Sequence, residues 1–303
     1  MSDTPSQQVP SPRQTLTYLH RLFEGYGLEP KSKLGQNFLI DLNLVDLIVR
    51  TAELDRTDAV LEVGTGTGSL TARLADVAGT VVTIEIDRSL QPVAKEVVGA
   101  RPNVTFVFGD CLAKKNELNP DMLTAWDGAA KSAGSTRRKL VANLPYVIAT
   151  PLISNLLIAG TDLERMVVMV QWEIAERMRA VPNTKDYNAL SVLVQSVADV
   201  EVVRKVGPKN FHPQPKVDSA IVLIRPNAAK RAKVGDVTRF RVFLRDLYVH
   251  RRKNLRQALI GWPSGHREKK DVDAKLAELG IDGTVRSEAL DLEQHLRLSA
   301  AFG

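Results

Sequence analysis

From residue 59 onward, short apolar runs alternate with segments of helical spacing, and this alternation limits the fold more than any other feature. Ala59 to Val63, Val81 to Ile86, Val104 to Phe108, Leu140 to Leu144 and Met166 to Val170 each read as a strand. Leu70, Leu74 and Val77 recur at helical spacing within Ser69 to Ala78, and Val93 and Val97 mark a helix after the second strand. The pattern predicts a parallel, doubly wound α/β sheet covered by helices on both faces.

Two segments depart from the alternation. The polar stretch Lys114 to Lys139, rich in Lys, Asn, Gly and Ser, reads as a helix plus a flexible excursion. Val200 to Val206 and Ser219 to Ile224 read as a strand pair with the Pro-rich FHPQPK between them. Past Arg225-Pro226 the character changes, and from Val237 to the end apolar residues recur at helical spacing. The domain boundary is therefore expected near residues 226 to 236. Residues 1–14 are expected to form a disordered tail, 15–228 the large domain and 229–303 a small helical one.

With 303 residues the chain is long enough for that arrangement. A hydrophobic content of 44% with mixed charges suits a soluble, globular protein, and no apolar stretch approaches a membrane span. The opening MSDTPSQQVPSP has neither a basic nor an apolar region of a signal peptide. Cys111 is the single cysteine, which excludes an internal disulfide and cannot alone build a zinc site. His20, His212, His250, His266 and His295 show no metal-ligand spacing, so no metal is expected. A reducing, cytoplasmic setting follows, and the net charge of +6 suits an anionic partner such as nucleic acid.

The first strand-to-helix turn reads Glu62-Val63-Gly64-Thr65-Gly66-Thr67-Gly68. Glycines there let the backbone approach a ligand and leave helix N–H groups free. A dinucleotide fingerprint would place its third glycine where Ser69 stands, which disfavours a nicotinamide cofactor. Glu85 ends the second strand, at about the spacing of an acid that holds ribose hydroxyls in such folds. Asp110 follows the third strand and Asn143 the fourth. Each alone is an ordinary cap or turn residue. Together they occupy the carboxyl ends of successive strands, the edge where open α/β sheets bind ligands.

Asn143 opens NLPY, the tetrapeptide 143–146, and this motif completes a longer series. LGQNFL (34–39), LEVGTGTGSLT (61–71), EIDRSL (85–90), GDCL (109–112), NLPY, FHPQPKVDSAIV (211–222) and RRKNLRQAL (251–259) follow in order. The series closely resembles the ribosomal RNA small-subunit adenine N6-dimethyltransferases of the KsgA type. NLPY and FHPQPKVDS carry most of the specificity, whereas the glycine turn is shared by many methyltransferases. The resemblance implies a Rossmann-like class I methyltransferase sheet with a small C-terminal helical domain. It also implies S-adenosylmethionine as cofactor and dimethylation of two adjacent adenines near the 3′ end of small-subunit ribosomal RNA. The expected partner is that RNA within an assembling subunit, and the expected state is a monomer.

By position, the resemblance puts Asn37 and Leu39 at the methionine end and approach of the cofactor, Gly64 beneath it, Glu85 on the ribose and Asp110 on the adenine amine. Asn143 falls beside the transferring methyl, and Asn143, Leu144, Pro145, Tyr146 and Phe211 form the catalytic group. Thr65 stands where the family frequently has proline.

The adenine amine is a poor nucleophile because its lone pair is delocalised into the ring. Oxygen acceptors from Asn143 and a main-chain carbonyl of Leu144-Pro145 would favour a pyramidal nitrogen aimed at the methyl. Tyr146 is expected to stack on the purine, and the resemblance places Phe211 on its other side. Stacking needs only the ring, so Tyr146→Phe is expected to be largely tolerated.

Arg251, Arg252, Lys253 and Arg256 are expected on a helix opening the C-terminal domain, where they would contact phosphates. For Arg137-Arg138-Lys139 a solvated surface is the preferred reading. Three rivals stand beside this one. They are a large-subunit ribosomal RNA methyltransferase of the resistance type, a non-catalytic ribosome-assembly factor and an NAD-dependent dehydrogenase.

Overall fold

The computed structural model describes residues 16–263 and 265–303, so the expected N-terminal tail lies outside the described residues. Helix α1 (Leu16–Tyr26) is followed by a two-residue strand β1 (Phe38–Leu39) and α2 (Leu42–Ala52). Asp41 caps α2 by accepting the Asn43 N–H, a contact typically contributing about 1 kcal/mol. The alternating unit then runs β2 (Asp58–Val63), α3 (Ser69–Val77), β3 (Thr80–Glu85), α4 (Gln91–Val98) and β4 (Val104–Phe108).

Beyond β4 the expected flexible excursion is instead a small hairpin, β5 (Leu112–Lys114) and β6 (Glu117–Leu118), leading into α5 (Pro120–Ser132). Asn119 explains the order: its side-chain oxygen caps α5 through Asp121 and Met122 N–H groups, while its amide donates to the Asp110 carbonyl. Met122, Trp126 and Ala130 recur at i, i+4 and i+8 and are buried, a periodicity that the polar composition hides. Fully burying a side chain such as Met122 contributes about 1.5–3 kcal/mol.

Next come β7 (Arg137–Asn143), α6 (Tyr146–Ala159), β8 (Leu163–Gln171), α7 (Trp172–Arg179) and α8 (Ala189–Gln195). The strands β9 (Ala198–Val206), β10 (Phe211–His212) and β11 (Ser219–Pro226) finish the sheet region. Helix α9 (Ala228–Val234) fills the expected boundary, and α10 (Val237–Val249), α11 (Leu255–Ile260), α12 (Lys269–Glu278) and α13 (Leu292–Phe302) complete the chain.

The main sheet has the order β4-β3-β2-β7-β8-β11-β9. The neighbours from β4 through β8 are parallel, whereas β11 pairs antiparallel with both β8 and β9. The expectation of a doubly wound sheet is met, with an antiparallel extension at one edge. Because β3 and β7 flank β2 on opposite sides, the winding reverses between β2 and β7, and a crevice opens at their carboxyl ends. A separate ladder pairs β1 with β10, setting Phe38 opposite His212 and Leu39 opposite Phe211. One apolar cluster extends from Leu61, Leu140 and Val168 through α6 and α8 to Phe240, Leu255 and Leu298, so the C-terminal helices share the sheet's core.

Both basic runs differ from expectation. Arg137-Arg138-Lys139 starts β7, and Lys139 is fully buried, its ammonium 3.1 Å from Asp58 and 2.7 Å from the Glu53 carbonyl. Arg137 pairs with Asp58 and Asp55, and Arg138 with Asp127. The solvated reading fails at Lys139, whose ion pair is wholly buried, whereas Arg137 and Arg138 stay part-exposed with partners that reach solvent. Residues 251–253 lie in the turn after α10 rather than on a helix, because Asn254 accepts the Gln257 N–H and caps a new helix, α11. Arg251 donates to the Lys185 carbonyl and reaches Glu288, and Arg256 pairs with Asp273. Arg252 and Lys253 remain exposed.

Candidate active site

Two joined cavities occupy the crevice at the carboxyl ends of β2, β3 and β7. The outer one encloses about 510 Å³ and the inner about 410 Å³ of empty space, open solvent included. Phe38, Gly64, Gly66 and Asn143 form the wall common to both. The glycines are required there. Gly64 has φ 86°, and a Cβ on it would lie 3.1 Å from Pro145 Cδ; at Gly66, φ 55°, it would lie 3.3 Å from the Phe38 ring. The floor is thus bare backbone.

Glu85 accepts the Gly66 and Asp87 N–H groups, each at 2.9 Å, and lines the outer cavity. Burial raises its carboxyl above the ordinary range, with those two N–H groups partly offsetting the rise. A carboxylate oxygen has further lone-pair capacity, so both oxygens can still accept from a ligand's hydroxyls. Next to it, Asp87 ties down the segment that roofs the site, accepting from Lys31 Nζ at 2.7 Å and from Gln36 Nε2 at 2.8 Å. Burial alone would raise the Asp87 carboxyl, but the hydrogen bonds from Lys31, Ser89 and Gln36 outweigh it and hold it at about 2.

Asn143 donates its amide N–H to the Asn37 carbonyl at 3.2 Å, and its side-chain oxygen takes no partner among the described residues. The turn that follows is fixed by the Leu144 N–H, which donates to the Met169 carbonyl at 3.2 Å. Tyr146 begins α6 with its ring half-buried and its hydroxyl 2.6 Å from Ser219 Oγ. Burial raises the phenol, and the Ser219 contact partly offsets that.

The crevice therefore assembles Asn37, Gly64, Glu85, Asn143, Leu144, Pro145 and Tyr146 around the outer cavity, and Leu39 beside the inner one. Two expected residues stand apart. Asp110 is exposed after β4, accepts the Leu112 N–H and lines neither cavity, because the turn into β5 holds its carboxylate. Phe211 is 2% exposed and packs in the apolar cluster with Leu39 and Ile221; its β10 pairing turns the ring into the core rather than toward an open cleft.

Sequence reasoning also missed Glu62, which is 1% exposed and lines the inner cavity. Thr71 and Thr83 hydroxyls donate to its Oε2 at 2.5 and 2.6 Å, and Oε1 has no partner. Burial pushes its carboxyl up to about 8 despite those donors. Its signal was an acid inside the apolar run Ala59 to Val63. Thr65, in the position where proline is frequent, bonds Thr83 at 2.6 Å and so stiffens the turn by another route. Among the described residues no cluster of three or more His, Cys, Asp or Glu could hold a metal ion, and no helix is long and apolar enough to cross a membrane.

Comparison with known proteins gives consistent relatives. Residues 27–301 match the family model for ribosomal RNA adenine dimethylase. The chain is 39% identical to a ribosomal RNA small subunit methyltransferase A of Pediococcus pentosaceus, over 93% of each chain. It is 37% identical to the protein of that name from Lachnoclostridium phytofermentans, over 95% of each. Among solved structures, a dimethyladenosine transferase from Plasmodium falciparum aligns with a TM-score of 0.70 at 27% identity, covering 88% of this chain and 97% of that one. The 23S rRNA methyltransferase ErmE aligns with a TM-score of 0.60 at 29% identity, covering 88% and 99%.

Proposed function

Since the chain belongs to the ribosomal RNA adenine dimethylase family, we propose that it dimethylates the exocyclic amines of two adjacent adenines near the 3′ end of small-subunit ribosomal RNA. In this reading it acts as a monomer in the cytoplasm, on an assembling subunit. The observation that carries the proposal is the anchored amide of Asn143. Its nitrogen is committed to the Asn37 carbonyl, which leaves its oxygen as an acceptor on the wall between the two cavities.

The bare glycine floor and the Glu85 carboxylate suit S-adenosylmethionine, with Asn37, Leu39, Gly64 and Glu85 as its holders. When bound, it supplies an electrophilic methyl group. Glu85 would accept from the ribose hydroxyls, and Gly64 and Gly66 would let the backbone lie against the cofactor. Glu62, whose Oε1 is buried without a partner, lines the same inner cavity.

On the RNA side, the Asn143 oxygen and the Leu144 carbonyl would each accept one N–H of the target amine. Two acceptors on one side of the nitrogen oppose its planarity and direct its lone pair away from them. Pro145 stiffens the turn carrying the carbonyl. The Tyr146 ring would stack on the flipped purine, returning roughly 1 to 3 kcal/mol toward a flipping cost of a few kcal/mol. Phe211 stays in the core on this account, and Tyr146 is the single stacking ring. The methylated amine is acidic enough to pass its proton to water, so no side chain is assigned as general base.

Incubating the protein with unmethylated small subunits and labelled S-adenosylmethionine, then mapping reverse-transcription stops, tests the proposal. Stops at two neighbouring adenines near the 3′ end are expected. The likeness to the 23S rRNA methyltransferase ErmE favours a second reading, which stops in large-subunit RNA alone would support. Binding of the subunit without any methyl transfer would point to an assembly factor instead.

A further inference from the structure

The edge of the sheet that carries the crevice continues past it, and its far end holds an aromatic ring among cations. Gln171 at the end of β8 stands opposite Ser219, and Ser219 stands opposite Val206 at the end of β9. Ser219 is also the partner of the Tyr146 hydroxyl. One step beyond this row lie Trp172 and Asp218, and Lys205 stands one step inside it, opposite Ala220. The Trp172 N–H donates to the Asp218 carbonyl at 2.9 Å, and Lys205 Nζ sits 2.8 Å from an Asp218 carboxylate oxygen. The same ammonium lies 4.7 Å from the Trp172 ring centroid, and the Arg179 guanidinium carbon lies 6.0 Å from it. Two exposed lysines, Lys209 and Lys216, extend the basic character along the loop between β9 and β11.

Core packing explains one side of the Trp172 ring, which rests on the main apolar cluster while remaining half-exposed. It does not explain the gathering of cations over the ring and along the adjoining loop. Among the described residues only Asp218 forms an ion pair with Lys205, and its carboxylate is itself accessible to solvent at 38%. A partly open aromatic ring beside exposed cations is the arrangement that holds single-stranded nucleic acid: the ring stacks a base and the cations take phosphates. The expected phosphate contacts Arg251 and Arg256 meanwhile each have an intramolecular partner, in the Lys185 carbonyl and Asp273.

We infer that Trp172 with Lys205 and Arg179 is a stacking platform for a nucleotide flanking the target adenine, and that Lys205, Lys209 and Lys216 track the phosphates of that strand. This rests on the RNA reading above and deepens it, because it gives the strand a path away from Tyr146 across β8, β11 and β9. An arriving phosphate would draw the Lys205 ammonium off the ring, opening the ring face to the base.

The full-length protein offers a direct probe. Of its three tryptophans, Trp126 is fully buried and Trp262 is 8% exposed, so Trp172 is the one open to a ligand. Titration with a single-stranded oligoribonucleotide bearing the adjacent target adenines should quench the intrinsic fluorescence, and Trp172→Phe should abolish the quench. Trp172→Ala should weaken RNA binding about tenfold, by loss of a stacked base. The triple variant Lys205→Gln, Lys209→Gln, Lys216→Gln should lower the slope of log affinity against log salt by about 2, at about 0.7 per phosphate contact on a single strand. Cofactor affinity should stay the same in all variants and serves as the check on folding. An undiminished quench in Trp172→Phe with an unchanged salt slope in the triple variant would overturn the platform. Separately, a wild-type protein that shows the Trp172 quench but methylates no subunit would reject the catalytic reading and leave the platform standing.

Discussion

The Tyr146 hydroxyl lies 2.6 Å from Ser219 Oγ, and Ser219 is wholly buried at the start of β11. This contact joins the two most specific motifs of the chain, NLPY and FHPQPKVDS. It also gives the hydroxyl a role that stacking alone does not. Tyr146→Phe and Ser219→Ala should each lower kcat/KM for methyl transfer about fivefold, the value of one hydrogen bond near 1 kcal/mol. The double variant should lose no more than either single one. Additive losses in that cycle would mean the two hydroxyls act independently.

Asn143→Ala removes the anchored acceptor without touching the glycine floor or the Tyr146 ring. Methyl transfer should fall at least about 100-fold, equivalent to roughly 2.7 kcal/mol of transition-state stabilisation. RNA affinity should change by less than about twofold, since one hydrogen bond to the base is a small part of a phosphate-dominated interaction. Parallel kinetic and binding titrations check this, and equal losses in both would remove Asn143 from the chemistry.

Glu62 makes stability depend on pH in a definite direction. Its carboxyl is raised by burial from 4.5 to about 8, so between those values the folded chain holds a proton that the unfolded chain has released. The contribution is complete below about pH 4.5 and is lost as pH rises toward 8, at roughly 1.4 kcal/mol per unit. Glu62→Gln should remove that slope. Urea midpoints of the two proteins should lie close together near pH 5 and diverge by pH 8, with the glutamine variant the more stable. Parallel curves across that range would show that Glu62 is not buried in its neutral form.

Lys139 reads from sequence as part of a surface run, yet it is the buried partner of Asp58. Lys139→Met would leave Asp58 with Arg137 and the Asp55 N–H and should destabilise the fold by about 3 kcal/mol, because removing one member of a buried ion pair leaves its partner's charge only partly compensated. Arg252→Ala and Lys253→Ala, both exposed, should stay within about 0.5 kcal/mol of wild type. Denaturant unfolding of the three variants makes the comparison.

The parts of the molecule legible in the sequence are those governed by local periodicity. β4 runs from Val104 to Phe108 as expected, and Glu85 and Asn143 fall at strand ends because apolar runs stop there. What periodicity cannot convey is which partner a charge meets. Lys139 follows two arginines in sequence, and its neutralising Asp58 comes from a strand 81 positions away. Phe211 was misplaced for a similar reason. Its ring direction is set by pairing with Leu39, a contact between distant segments. The turn at residues 250–254 was hidden because the basic run continues across it, although Asn254 is the N-cap residue that starts α11.

The pairing of Phe38 with His212 and Leu39 with Phe211 has a consequence for how the protein could be pared down. The roof of the crevice is built from residues that precede the first strand of the main sheet, and it is clasped by a loop that leaves the last but one. A fragment beginning at Asp58 would keep every strand of the main sheet and still present an open dish. Catalytic competence in this architecture belongs to the closed circuit of the chain, and trimming either end of that circuit would sever it.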